Sequence, residues 1–346
     1  MKNQNYKHYT SFLMLKDKKI KVGFSIGDLN GIGGELIVKS LNDKSLFKLF
    51  TPIIYASDKI ISFLAEHFST TNQFNVIKNI DSACPSSINI INVWKEDIKI
   101  NFGQSTPEAG HYSILSLKAA VNDLKSSLID VLVTPPINKH NIQSKTFNFP
   151  GHTNFLSQQL KGESLMFMIS DKIKIGLLTD HVPIAKVSSY INEDLIFKKV
   201  EIIDNSLRQD FGILAPKIAL LGVNPHSGDN GVIGEEEDMI LKPTIEKLKS
   251  SGKLIFGPFA ADSFFGSENF KNFDAVLAAY HDQGLIPFKT LAFGSGVNFT
   301  AGLDKVRTSP DHGTAYEIAG KGIANAESFK QAIFSGIQIY KQRNKK

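Results

Sequence analysis

The sequence predicts an α/β protein whose two lobes share a largely parallel sheet, with a cleft between the lobes. Short apolar runs rich in β-branched residues alternate with segments of helical spacing, as in proteins whose parallel strands are joined by helices. The length of 346 residues corresponds to about two domains. Because no internal repeat, low-complexity tract or Pro/Gly linker divides the chain, we expect the lobes to be continuous.

The first predicted unit is a strand at residues 18–26, a glycine-rich turn at 27–34 and a helix at 35–41. A helix N-terminus after such a turn can bind an anion. The turn does not match G-x-G-x-x-G, because position 36 is Leu, and it is not a Walker loop. A tight structural turn and a cofactor cradle therefore both remain open.

Further strands are predicted wherever a short apolar run ends in a turn, and a helix is predicted from apolar residues that recur every three or four positions. An acidic run, Glu235-Glu236-Glu237, indicates the start of another helix, as the helix dipole favours. The strands are predicted at residues 51–56, 88–93, 130–134, 165–169, 173–178, 217–221, 254–260 and 275–280, and the helix at residues 111–126.

Two motifs lie in the middle of the chain. TPPINK at 134–139 predicts a rigid turn directly after a strand. FPGHTNF at 149–155 precedes helical spacing, so His152 and Thr153 should lie near a helix start. There the threonine could cap the helix or, with the histidine, contact an anion.

The composition excludes several classes of protein. Lys and Arg number 39 against 34 Asp and Glu, and the modest net charge of +5 suits a small anionic substrate without indicating nucleic acid binding. The single cysteine, Cys84, excludes an internal disulfide and a cysteine-rich metal site. Residues 1–17 lack a signal-peptide core, and no apolar run is long enough to span a membrane, so we expect a cytoplasmic protein.

Three histidines, His181, His226 and His281, each end a predicted strand in a turn that contains Pro, Gly or Asp. Strand ends on one edge of a parallel sheet converge, so the three imidazoles could share a divalent metal ion and leave positions open for substrate. The alternative is that each histidine only bonds to nearby backbone. Lys289 and Arg307, farther along, could hold an anion.

The motifs together resemble the 4-hydroxythreonine-4-phosphate dehydrogenase family of vitamin B6 biosynthesis. The motifs that carry the resemblance, from near residue 20 to near residue 335, are PPINK, FPGHTNF, NPHSG, YHDQG and RTSPDHGTA. The resemblance implies an isocitrate/isopropylmalate dehydrogenase-like fold with one lobe at 1–150 plus 310–346 and the other at 151–309. It also implies a homodimer with the site at the interface. The usual GDPAGIGPE becomes GDLNGIGGE at 27–35, which leaves substrate choice slightly open.

The resemblance also implies roles for individual residues. We expect His181 of one chain to meet His226 and His281 of its partner around Zn²⁺, Co²⁺ or Mg²⁺. Residues 312–325 resemble the adenosine-binding loop of isopropylmalate dehydrogenases, so we expect NAD there, although NADP is not distinguished. We expect Lys289 and Asp282 to be catalytic residues. The candidates for the general base are Asp282 and a metal-bound hydroxide. The implied substrate-binding residues are His152, Thr153, Lys289, Asn298 and Arg307, and the cofactor-binding residues are His312, Gly313, Thr314 and Asn325.

The implied reaction oxidises the C3 hydroxyl of 4-phosphooxy-L-threonine with NAD⁺ and then releases CO₂, which gives 3-amino-2-oxopropyl phosphate. A paralogous dehydrogenase acting on 4-phospho-D-threonate or 4-phospho-D-erythronate is the nearest alternative. A phosphotransacetylase-like acyltransferase is less compatible with the sequence, because it would need neither the three histidines nor the dinucleotide loop. A non-catalytic scaffold conflicts with the candidate residues present at every motif.

Overall fold

A single twelve-stranded sheet runs through the whole protein. The computed structural model describes residues 19–144, 147–149 and 151–345. Our expectations for residues 1–17 and for Pro150 lie outside those ranges. The strands are β1 (Ile20–Ser25), β2 (Phe50–Ala56), β3 (Phe74–Ile77), β4 (Ile88–Asn92), β5 (Val131–Val133), β6 (Gly162–Ile169), β7 (Lys174–Leu177), β8 (Lys217–Leu221), β9 (Leu254–Phe259), β10 (Ala275–Ala278), β11 (Val297–Leu303) and β12 (Val306–Pro310).

The sheet is parallel at both ends and antiparallel in the middle. Its strand order is β3-β4-β2-β1-β5-β12-β11-β6-β7-β10-β8-β9. The pairs β12/β11, β11/β6 and β6/β7 are antiparallel, and the other neighbours are parallel. The predicted α/β class is confirmed. The sequence predicted a largely parallel sheet, and it did not predict the antiparallel strands at the centre.

Helices connect the strands. The helix at Pro107–Lys125 shows why they begin where they do: the Thr106 side chain accepts a hydrogen bond from the Ala109 N–H, and proline occupies the first turn. The helices are α1 (Gly33–Ser40), α2 (Asp58–His67), α3 (Pro107–Lys125), α4 (His152–Gln159), α5 (Val187–Tyr190), α6 (Glu193–Gln209), α7 (Lys242–Ser250), α8 (Ala261–Gly266), α9 (His281–Ala292) and α10 (Glu327–Arg343). A π-helical turn, Glu237–Leu241, leads into α7.

Alternating side chains of the strands enter different hydrophobic cores. On one face, a continuous core extends along the sheet and includes Phe24, Phe167 and Leu277. On the opposite face there are two separate cores, one around Leu132 and the other around Val276. The hydrophobic core is therefore divided in two on only one face of the sheet. The lobe boundaries expected at residues 150 and 310 stay a prediction.

Two strands of this centre, β11 and β12, were not predicted from the sequence, and neither was β3. Along β11, Val297, Phe299 and Ala301 enter the continuous core, whereas Asn298 and Thr300 alternate with them and therefore face the other side.

Within the described ranges, none of the helices is both long enough and apolar enough to cross a lipid bilayer.

Candidate active site

A cleft of about 310 Å³ lies on the face of the sheet where the two separate cores leave a gap. Strand register explains the position of its floor. Arg307 of β12 pairs with Leu132 of one core, and Asn298 of β11 pairs with Met168 of the other. Paired residues face the same side of a sheet. Polar side chains therefore stand in the gap, where further apolar residues would have joined the two cores into one.

Nine of the thirteen residues that the sequence singled out line this cleft. Asn298 and Arg307 lie within β11 and β12, and the other seven come from the loops and helices that follow β5, β7, β10 and β12, which agrees with chemistry placed at strand ends. The nine are His152, Thr153, His181, His281, Lys289, Asn298, Arg307, His312 and Gly313. His226, Asp282, Thr314 and Asn325 are not in the lining.

Arg307 is the buried charge of the cleft. Its side chain is 2% exposed, and its guanidinium donates to the hydroxyl oxygens of Thr134, at 3.0 and 2.5 Å, and of Thr300, at 3.1 Å. No carboxylate in the described ranges forms an ion pair with it. Burial lowers the pKa of the guanidinium to about 9. A buried cation held only by neutral hydroxyl groups is prepared to receive an anion.

His152 lies in the first turn of α4. Gly151 precedes the helix, so the N-cap is glycine, and a capping role for Thr153 is excluded. Burial, followed by the positive charges of Arg307 and Lys139, lowers the pKa of His152 well below its ordinary value. The imidazole is therefore neutral at pH 7 and offers one donor and one acceptor nitrogen.

His181 and His281 lie together at the other side of the cleft, with 5.7 Å between their ring centroids. Each has its own aspartate. The Nδ1 of His281 donates to Asp282 Oδ1 at 2.7 Å, and the His181 N–H donates to Asp180 Oδ1 at 2.7 Å. Contact with His181 holds the pKa of Asp180 well below its usual range. A carboxylate on Nδ1 leaves the Nε2 lone pair of His281 available as a metal ligand.

The motif around His281 is explained by local packing. Gln283 accepts from the Ala279 N–H and donates to the Gly222 carbonyl, both at 2.7 Å, and so joins the ends of β10 and β8. A Cβ atom on Gly284 would lie 2.9 Å from the side chains of Ile175 and Leu177, so α9 can approach the sheet only with glycine there. These contacts fix the first turn of α9 and thereby His281.

The three histidines do not converge within one chain. Across residues 19–144, 147–149 and 151–345, no three His, Cys, Asp or Glu side chains are close enough together to hold a metal ion. His181 and His281 follow neighbouring strands, β7 and β10, whereas His226 follows β8 and lies exposed in its own loop. The structure therefore brings His181 close to His281 within one chain, and the subunit that supplies each metal ligand stays a prediction.

The expected cofactor segment is divided between the cleft and its surroundings. His312 and Gly313 line the cleft. Thr314 instead accepts the Ile32 N–H at 3.1 Å, and the Asn325 side chain accepts the Glu327 N–H at 2.9 Å. The turn at 27–34 is thus held against the loop at 314 through its own backbone, which favours the tight structural turn over the cofactor cradle.

Sequence reasoning missed several residues of the site. Lys139, within the TPPINK motif, reaches across the cleft and donates from Nζ to His181 Nε2 at 3.3 Å. Thr134 and Thr300 hold Arg307, and Asp180 and Asp311 contribute to the lining. Lys139 and Thr134 could have been found from their motif, and Thr300 from the alternation of polar and apolar residues along 297–301.

Three buried polar atoms of the cleft have no hydrogen-bond partner among the described residues. They are His152 Nε2, Asn298 Oδ1 and His312 Nε2. Buried polar groups are normally paired, so unpaired ones gathered in one cleft favour a polar ligand there. Together with Arg307 and the histidine pair, they make this a cleft suited to an anionic, polar small molecule, beside two imidazoles of the kind that can bind a metal ion.

Comparisons with known proteins show which family the chain resembles. Residues 48–335 match the family model for "Pyridoxal phosphate biosynthetic protein PdxA". A 4-hydroxythreonine-4-phosphate dehydrogenase from Bacteroides thetaiotaomicron is 42% identical over 333 residues, which cover 96% of this chain and 92% of that protein.

Two further relatives extend the comparison. The crystal structure of a 4-hydroxythreonine-4-phosphate dehydrogenase from Klebsiella pneumoniae superposes with a TM-score of 0.80 at 30% identity, covering 95% of this chain and 99% of that one. A protein from Oceanobacillus iheyensis, provisionally named a D-threonate 4-phosphate dehydrogenase, is 33% identical over 93% of this chain and 98% of its own length.

Proposed function

The chain belongs to the PdxA family of 4-hydroxythreonine-4-phosphate dehydrogenases, oxidoreductases of pyridoxal phosphate biosynthesis, and we propose that it oxidises and decarboxylates 4-phosphooxy-L-threonine with NAD⁺ and a divalent metal ion. The observation that carries the proposal is the buried Arg307, which has no carboxylate partner among the described residues. It lies in the same cleft as the two aspartate-held histidines.

Arg307 and the groups around it would bind the charged ends of the substrate. Arg307 supplies a fixed charge, Lys289 a second cation from α9, and Asn298 and His152 neutral polar atoms between them. Charge-assisted hydrogen bonds to phosphate or carboxylate are about twice as strong as neutral ones. Because His152 stays neutral, it can bond to an anion without adding a further buried charge.

His181 and His281 fit a divalent metal ion as two neutral nitrogen ligands, but catalytic sites of this kind generally use three protein ligands. We assign the third position to His226 of the partner subunit. Ten of the fourteen exposed large hydrophobic side chains in the described ranges lie between residues 151 and 309, and these include Ile184, Val232 and Ile286 near the three histidines. Exposed apolar surface in that lobe suits a homodimer whose contact brings the histidines together.

The cofactor would enter beside His312 and Gly313. The His312 Nε2 atom is buried without a partner, and no atom lies within 4 Å of the place where a Cβ on Gly313 would be. Both observations suit a ligand that packs on this segment. Space at Gly313 and a polar atom at His312 do not distinguish NAD from NADP, and the assignment of NAD follows from the family.

The bound metal ion would supply positive charge for the reacting oxygen, and NAD⁺ would accept the hydride. The chain itself orients and binds. Asp282 keeps the proton of His281 on Nδ1, and Asp180 fixes the His181 backbone. Asp282 was a candidate base, but its side chain contacts His281 and is not part of the cleft lining, so we propose an orienting role for it. Lys289 and Arg307 would balance the negative charge of substrate and product.

A comparison of substrates tests the proposal. Purified protein with Zn²⁺, Co²⁺ or Mg²⁺ should form NADH and release CO₂ in equal amounts from 4-phosphooxy-L-threonine. The same assay should be run with 4-phospho-D-threonate, because of the name of the relative from Oceanobacillus iheyensis, and with 4-phospho-D-erythronate. Turnover of either sugar acid in preference to the amino acid would transfer the assignment to the paralogous reaction.

A further inference from the structure

The loop that carries His226 has an unusual backbone. Residues 226–231 all have positive φ angles, from 45° at Asp229 to 88° at Gly231. Four of the six, including His226 itself at 52°, are not glycine. Left-handed backbone is disfavoured for such residues and persists only where the surroundings impose it. The loop must therefore be held by contacts outside itself.

The buried carboxylate of Glu237 holds the residues directly before this loop and packs against Gly228 within it. Its Oε1 accepts the N–H groups of Val223 at 2.7 Å and Asn224 at 2.8 Å, and its Oε2 accepts the Asn224 side-chain amide at 2.9 Å. Glu237 is fully buried, and a Cβ on Gly228 would lie 2.7 Å from Oε2. The loop is thus folded closely around this one carboxylate.

The position of Glu237 in the chain is also distinctive. It begins the π-helical turn Glu237–Leu241, a rare widening of the helix that is frequent at functional sites. The preceding Glu236 accepts the Asn224 side-chain amide at 2.7 Å and a hydrogen bond from the hydroxyl of Ser188. Ser188 lies a few residues after His181, so the two glutamates connect the loops of both histidines.

We propose that Glu237 is a positioning residue that presents His226 to the metal ion shared with a second copy of this chain. The inference rests on the proposed function, since it takes His226 as a metal ligand. Glu237 touches neither metal nor substrate. It acts by fixing the left-handed backbone from which the His226 ring projects, so that the ligand is already in place when two chains meet.

The test measures Co²⁺ affinity of the purified protein by visible absorption, with Glu237→Gln as the variant. The exposed Glu235, whose side chain makes no hydrogen bond or ion pair among the described residues, gives the matched control Glu235→Gln. We expect Glu237→Gln to weaken Co²⁺ binding about 10- to 100-fold, as loss of outer-shell support does, and Glu235→Gln to leave it unchanged. Inorganic phosphate, for which Arg307 is the proposed site, should bind both variants as it binds the unmodified protein.

A double-mutant cycle with His226→Ala separates positioning from a general structural effect. If Glu237 acts through His226, the substitution Glu237→Gln should weaken Co²⁺ binding no further in the His226→Ala background. An equal loss in both backgrounds would overturn the proposal. If Glu237→Gln does not fold, Glu237→Asp keeps the charge while shortening the side chain, and the same cycle is measured with it.

The control variants also separate this inference from the proposed function. Unchanged Co²⁺ affinity in His226→Ala would remove His226 from the metal ion and overturn both. A normal affinity in Glu237→Gln, with a weakened one in His226→Ala, would overturn the positioning role alone. Weakened binding in both single variants, without further loss in the double variant, is the result that supports it.

Discussion

Replacing Arg307 by methionine should stabilise the ligand-free protein and abolish its response to phosphate. Arg307 is 2% exposed, and burial lowers the pKa of its guanidinium to about 9. Because the folded state holds this proton less tightly than the unfolded state, the charge lowers stability at every pH below about 9. The lowered pKa corresponds to about 5 kcal/mol at pH 7, and this cost fades as the pH rises above 9.

The net effect follows from the contacts that would be lost. Methionine leaves the hydroxyl groups of Thr134 and Thr300 without their donor, at a cost of about 1–3 kcal/mol. The free variant should therefore gain roughly 2 kcal/mol, or about 3 °C in melting temperature for a chain of this size. Phosphate at a hundred times its dissociation constant should add about 2.7 kcal/mol to the unmodified protein and nothing to the variant.

Arg343→Met is the matched control for this experiment. Arg343 forms an ion pair with the buried Asp210, so its loss should destabilise the protein while leaving the phosphate response intact. Thermal unfolding of the unmodified protein and of both variants, in phosphate-free buffer and with added phosphate, measures these effects. If Arg307→Met were less stable than the unmodified protein and still responded to phosphate, Arg307 would be a structural residue and not an anion site.

Four further predictions concern the cleft and the residues beside it. The pKa of His152 lies well below 6.5, so NMR should show a ring that stays neutral as the pH falls through 6.5, and stability should decrease there because only the unfolded chain takes up the proton. Asp282→Asn should weaken Co²⁺ binding about 10- to 100-fold through loss of its contact with His281, and unchanged affinity would contradict its orienting role. Gly313→Ala should raise the Michaelis constant for NAD⁺ with little change in melting temperature, because the added methyl meets no atom of the free protein. Asn325→Ala should instead lower stability first, since its side chain holds the start of α10.

The sequence predicted most strands of the fold because their apolar runs are short, β-branched and bounded by turns. The strand at Lys217–Leu221 was predicted with the bounds it has in the structure, and β1, β2 and β4 differ by one or two residues. Motifs at strand ends also identified most of the cleft. These parts were predictable because burial on both faces and turn chemistry leave local signals.

The central strands escaped prediction because the site occupies them. In β12, Arg307 and Ser309 replace the apolar residues that a buried strand would otherwise contain, and β11 includes Asn298 and Thr300. A functional site overrides the hydrophobic pattern there, as expected where chemistry competes with core packing. The antiparallel centre of the sheet could not be inferred without recognising these two strands.

The arrangement of the histidines required three-dimensional information. Strand order places β10 between β7 and β8, and the loop after β8 turns through six left-handed residues. The residue types at 226–231 do not by themselves predict six consecutive left-handed residues, and Glu237, which we propose fixes this backbone, lies seven or more residues away in sequence from His226, Ser227, Asp229 and Asn230. Distance in sequence grouped His281 with His226, whereas in the structure the His281 ring lies beside that of His181.

The central claim is that His181 and His281 of one chain share a metal ion with His226 of the partner subunit, and mixed dimers of inactive variants test it most directly. Each pair of variants is unfolded together, refolded with metal, confirmed as mixed dimers by mass spectrometry and assayed for NADH formation with 4-phosphooxy-L-threonine. A dimer of His226→Ala and His281→Ala chains should regain activity, because one of its two sites receives three intact histidines. A dimer of His181→Ala and His281→Ala chains should remain inactive, because each site retains one lesion. Recovery in the second pair and not in the first would contradict this arrangement, and recovery in neither would place all three ligands within one chain.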